Sequence, residues 1–176
     1  MSKLTAEKLG EEKAKLYNPD GLSLFPFEKV TDDCRDVRIF YSDKISEKVS
    51  GAIAYDKGLN TFMILINSKE QKTRQNFTTA HELGHYFLHS DTIKENEMIV
   101  DGENTLDGST FLYRQTVPYS TEVEVEANNF AAALLMPSDL VEKAWMSLKN
   151  VEECAKIFTV SITAMSIRLE RLGLVG

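Results

Sequence analysis

Residues 68–89, SKEQKTRQNFTTAHELGHYFLH, contain no proline and one glycine, and they carry every histidine of the chain: His81, His85 and His89. Such a run reads as one long helix capped by Asn67 or Ser68. What constrains the fold is the set of groups this helix must bury. Phe77, Ala80, Phe87 and Leu88 flank the sequence His81-Glu82-Leu83-Gly84-His85, so two imidazoles and a carboxylate are drawn among apolar neighbours, where they need partners. Residues i and i+4 lie about 40° apart around a helix and one turn along it. Both imidazoles therefore face one spot and can share one ion, and Glu82 can take a proton from water held there. With three histidines in 176 residues, this HExxH arrangement is expected by chance roughly 0.005 times. Gly84 in a helix interior costs about 1 kcal/mol relative to alanine, which calls for close packing or room near a metal.

A catalytic zinc needs a third protein ligand and an open position. On a straight helix His89 lies two turns beyond His81 and about 80° around, past the ion; it reads as a core histidine or as support for a ligand. The run EVEVEANNFAAALLM (122–136) is rich in Ala and Leu and predicts a second buried helix that ends near Pro137. In it Glu124 is the candidate third ligand, with Asn128 four residues later on the same face to hydrogen-bond a liganding imidazole. Glu126 is the alternative, because Phe130 and Ala133 share its face. All three glutamates of the run also suit a helix N-terminus through the dipole.

Around these two helices the chain predicts an N-terminal helix ending at the NPDG turn (18–21) and strands at 36–43, 50–56 and 60–67, the last two forming a hairpin. Residues 91–121 read as an irregular loop with a short strand near 110–114, and a tail of three short helices follows Pro137. The expected class is α+β, with helices packed on one small three-stranded antiparallel sheet. Residues 1–136 would form the main domain and 137–176 a helical C-terminal subdomain packed on it.

Composition narrows the setting. No apolar run reaches membrane-spanning length, and the N-terminus lacks the apolar core of a secretory leader. The two cysteines, Cys34 and Cys154, form no CxxC pattern, so the expectation is a reducing, cytoplasmic compartment. Net charge is −7, and residues 91–126 hold nine acids against two bases. No basic footprint for nucleic acid appears. Residues 150–172 do read as helix, turn, helix, with Arg168 and Arg171 available to phosphates. However, Ile162, Met165, Ile167, Leu169 and Leu172 spread over that helix, which favours packing over DNA contact.

Three separated motifs, FTTAHELGHYFLH, EVEANNFAAALLMP and VSITAMSIRLERLGL, closely resemble the ImmA/IrrE family of metallopeptidases. The resemblance runs from about residue 36 to the C-terminus. It implies a zincin-like fold of the gluzincin kind, with Zn2+ held by His81, His85 and a glutamate of the second helix and Glu82 as the base. Thermolysin-like enzymes place that glutamate four residues before an acidic or amide residue, which corresponds to Glu124 and Asn128. The resemblance also implies a protein substrate, a helix-turn-helix repressor encoded by a phage, mobile element or stress regulon. The chain looks like the short ImmA-type form. Tyr113, Arg114, Tyr119 and His89 are candidates to stabilise an oxyanion, and the strand 60–67 is the expected edge for substrate pairing. The acidic loop 91–121 reads as a gate or a solvated loop.

Overall fold

In a computed structural model of the chain, the described residues are 3–21, 24–96, 98–102 and 121–176. The elements run α1 (Lys3–Tyr17), α2 (Phe27–Asp33), β1 (Val37–Ser42), β2 (Val49–Asp56), β3 (Thr61–Asn67), α3 (Lys72–Asn96), β4 (Met98–Gly102), α4 (Thr121–Leu135), α5 (Ser138–Leu148), α6 (Val151–Ile157) and α7 (Ile162–Arg171).

The α+β class holds, but the sheet is neither three-stranded nor antiparallel throughout. It is a mixed sheet in the order β1-β3-β2-β4. β2 pairs antiparallel with both β3 and β4, while β1 pairs parallel with β3, from Val37 opposite Phe62 to Ser42 opposite Asn67. The reason is topological. After β1 the chain skips one strand position to lay down β2, and the hairpin then returns β3 into the gap. β1 and β2 run in opposite directions, so the strand that fills the gap is parallel to one and antiparallel to the other. β3 is suited to the centre: Phe62, Ile64 and Ile66 are fully buried on one face, the alternation of a strand packed against a helix. As an interior strand β3 has no open edge, so the substrate edge expected at 60–67 is not available there. Two elements were also not foreseen: α2, and β4 inside the region read as loop. The strand expected near 110–114 lies outside the described residues.

The sheet, α3, α4 and α1 stack in that order, α3 against β2 and β3 and α4 between α3 and α1. Glycine permits both helix crossings. A Cβ on Gly84 would lie 3.1 Å from the Cα and carbonyl oxygen of Ala127; one on Gly10 would lie 2.6 Å from the carbonyl oxygen of Phe130. Gly84 therefore serves close packing, one of the two roles its position suggested.

The tail is joined to the rest by a buried cation. Arg168, 1% exposed, donates from Nε to the Met136 carbonyl at 3.0 Å and from Nη2 to Glu11 at 2.9 Å, and it also pairs with Glu7. Glu11 in turn accepts from the backbone N–H and hydroxyl of Ser138 at 3.1 and 3.0 Å. Ser161 caps α7, its hydroxyl accepting from the Ala164 N–H. No helix among the described residues is long and apolar enough to cross a membrane.

Candidate metal centre

The helix α3 turns a polar stripe inward: His81 is 3% exposed, and Glu82 and His85 are fully buried. Across from it, the first turns of α4 bring Glu124 within reach. The two histidine Nε2 atoms lie 3.0 Å apart. Glu124 places Oε2 3.3 Å from Nε2 of His81 and Oε1 3.5 Å from Nε2 of His85. Donors about 2.1 Å from a tetrahedral zinc stand about 3.4 Å from one another, so these spacings fit one such ion. Among the described residues this is the one group of three His, Cys, Asp or Glu donors compact enough to hold a metal.

Protonation suits the same purpose. Nδ1 of His81 lies 3.1 Å from Oδ1 of Asn128; that amide oxygen accepts the Nδ1 proton and leaves the Nε2 lone pair directed at the centre. Burial pushes His85 down to about 4 against the pull of Glu124, so its imidazole is neutral near pH 7. Burial also raises the Glu124 carboxyl. Hydrogen bonds and charge from His81 and His85 outweigh that effect and hold it well below the usual carboxylate range. Two imidazoles and one carboxylate so placed form a donor set that can hold one zinc ion.

The remaining candidates separate cleanly. Glu126 is directed not to this cluster but to His89, with Oε2 3.6 Å from Nε2. His89 itself leaves helical geometry, at φ −132° and ψ 19°. Tyr113, Arg114 and Tyr119 lie outside the described residues.

Residues 32–170 match the model of the IrrE N-terminal-like domain, a peptidase family. The chain belongs to the IrrE N-terminal-like family of metallopeptidases. It is 26% identical over 148 residues to the metallopeptidase ImmA of Bacillus subtilis, covering 82% of this chain and 76% of that protein. Over 80 residues it is 34% identical to the radiation response metalloprotease IrrE of Deinococcus deserti, covering 46% of this chain and 24% of that protein. Over 108 residues it is 30% identical to the uncharacterized immunity region protein 2 of Bacillus phage phi105, covering 61% and 55%. A Mycobacterium tuberculosis transcriptional regulator superposes with a TM-score of 0.59 at 18% identity, covering 96% of this chain and 46% of that one; this is a likeness of fold alone. Within the IrrE N-terminal-like frame, two features of this chain had no signal in the sequence. One is the bend at His89. The other is Gly51 on β2, which lies against the Glu82 side chain.

Proposed function

We propose that this metallopeptidase is a zinc-dependent endopeptidase that cleaves one specific regulatory protein, a helix-turn-helix repressor of a phage, mobile element or stress regulon. The observation that carries the zinc reading is the donor triangle of 3.0, 3.3 and 3.5 Å formed by His81, His85 and Glu124, at tetrahedral spacing. These three residues hold the ion, and Glu82 is the general base. Bound there, zinc supplies a Lewis acid for the scissile carbonyl and for water. The Glu82 carboxylate accepts a proton from the attacking water and passes it to the amide nitrogen as the C–N bond breaks. Its complete burial keeps competing water from its oxygens. Asn128 holds His81 in the tautomer that ligation requires.

For the substrate, β4 is the sheet edge beside β2, the strand whose Gly51 abuts Glu82. An extended peptide adds there by main-chain pairing, in place of the pairing at β3 that the sequence suggested. The immunity-region relative of a phage supports a repressor as the target. We read residues 137–176 as a helical subdomain packed on the 1–136 catalytic domain and not as a DNA reader: Arg168 is buried against Glu7 and Glu11, and Arg171 donates to Asn129. We read the location as cytoplasmic, a reading that the free Cys34 and Cys154 support.

The test combines metal content by elemental mass spectrometry with cleavage of repressors encoded nearby, for wild type and Glu82→Gln. The expected result is one zinc per chain in both proteins and cleavage by wild type alone. Cleavage retained by Glu82→Gln would remove Glu82 as base. Absence of zinc, and of zinc uptake on titration, would end the zinc reading.

A further inference from the structure

One turn beyond His85 the helix breaks. His89 adopts φ −132° and ψ 19°, and the bend directs its ring across to α4. The side chain is 9% exposed; its Nε2 lies 3.6 Å from Oε2 of Glu126, which is 7% exposed. Glu126 stands two residues after Glu124 on α4, so the approach of His89 to Glu126 links the bend of α3 to α4 beside the third donor. The circuit closes through the site, since the His85 and His89 rings are 5.8 Å apart and Nε2 of His85 faces Glu124 at 3.5 Å.

Glu124 needs such a hold. It lies in the first turn of α4, where backbone N–H groups lack intrahelical partners and helices fray. Its side chain is 36% exposed, and Thr121 and Glu122 before it are exposed, so burial does little to fix it. A non-helical residue inside α3 also forgoes regular helical hydrogen bonding, a cost that must be offset by what the bend permits.

We propose that His89, through Glu126, is the positioning residue for Glu124. It sets the first turn of α4 at the height from which the carboxylate meets both imidazoles, and thereby sets the affinity of the site for zinc. The inference rests on the reading of His81, His85 and Glu124 as zinc ligands. Residues that orient ligands change metal affinity by about 10- to 100-fold.

The experiment is competition for Zn2+ with a chromophoric chelator on the full chain: wild type, His89→Ala, His89→Gln, Glu126→Gln, Glu124→Ala and His81→Ala. Thermal midpoints of the metal-free proteins are measured alongside. The expected result is a 10- to 100-fold loss of zinc affinity in His89→Ala and Glu126→Gln, with one equivalent still bound at saturation. His89→Gln, which keeps an N–H donor, should recover part of the loss. Wild-type affinity in His89→Ala and Glu126→Gln overturns the proposal even if their midpoints fall, because packing alone lowers stability without changing the affinity of the folded chain. If His89→Ala does not fold, the isosteric Glu126→Gln decides. Zinc lost in His81→Ala and Glu124→Ala but not in the His89 and Glu126 variants sinks the positioning role and leaves the metal centre standing. Zinc unaffected in His81→Ala and Glu124→Ala sinks both.

Discussion

Gly51 and Glu82 are in steric contact across the interface of β2 and α3. A side-chain carbon built on Gly51 would stand 2.9 Å from Oε1 of Glu82 and 2.5 Å from Cγ2 of Thr78. Both neighbours are buried, and β2 is irregular at this point, between Val49 and Gly51. The glycine leaves the space that the proposed base occupies.

Gly51→Ala should therefore displace the Glu82 carboxylate without touching the metal donors. We expect cleavage to fall about 10- to 100-fold, the penalty of a misplacement near 1 Å, with zinc stoichiometry unchanged. Adding Thr78→Ser, which removes the methyl group at 2.5 Å, should recover part of the rate. Single-turnover assays with parallel metal analysis check this. Full activity in Gly51→Ala would mean that Glu82 tolerates the intrusion.

At the α3–α4 crossing the obstacle is backbone, which cannot rotate away. Gly84→Ala brings a methyl group to 3.1 Å from the Ala127 Cα and carbonyl. On an exposed helix the change would stabilise by about 1 kcal/mol. Here we expect a net loss of about 1–3 kcal/mol from overpacking, read from urea denaturation of the metal-free protein, with weaker zinc binding because Glu124 lies on the displaced helix.

The buried Arg168 gives a third test. Arg168→Met keeps most of the length and removes the charge, leaving the Met136 carbonyl without its donor. Glu7 and Glu11 are 36% and 21% exposed and can regain water, which limits the penalty to about 2–4 kcal/mol. Glu7→Gln and Glu11→Gln in the same background should return part of it. Denaturant midpoints measure both. A loss below 0.5 kcal/mol, within the usual range for surface substitutions, would show that this network contributes little.

Alkaline pH probes two tyrosines. The Tyr17 hydroxyl donates to Asp33 and that of Tyr86 to Asp36, each at 2.7 Å. Burial first, and then these acids, hold both phenols well above their ordinary pKa of about 10. A raised value in the folded chain means the native state keeps protons that the unfolded state releases. The contribution is thus complete below pH 10 and is lost as pH rises beyond it, with a slope of at most about 1.4 kcal/mol per pH unit for each phenol. Denaturation profiles against pH should show this fall, and Tyr17→Phe with Tyr86→Phe should flatten it.

What could be read from the sequence divides by distance along the chain. His81, Glu82 and His85 are legible because four residues of helix dictate their convergence. A second local spacing, the amide of Asn128 one turn later, favours Glu124 over Glu126 as a ligand, and in the structure Glu124 faces His81 and His85 while Glu126 faces His89. The order of the sheet was not legible. Nothing within β1 or β3 announces that they pair in parallel, since that follows from the position left open by β2. Arg168 presents the same difficulty. On its helix it is one of two arginines, with nothing local to set it apart from Arg171, and only Glu7 and Glu11, from the other end of the chain, account for its burial. The bend at His89 likewise has no breaker to mark it, because the interactions that favour it come from α4.

The link between Arg168 and α1 also bears on how the molecule is made. Ribosomes deliver the histidines and Glu124 well before residue 168, and contacts spanning some 160 positions form late and at a high entropic cost of loop closure. Until α7 has emerged, Glu7 and Glu11 lack their cation and Ser138 docks on an incompletely neutralised surface. The helix α4, which carries Glu124, then lacks the hydrogen bond that Arg171 of α7 donates to Asn129. In a peptidase arranged in this way the tie between α1 and α7 closes only after residue 168 has been made, so the helices that carry His81, His85 and Glu124 are in place before the network that joins α1 to α7.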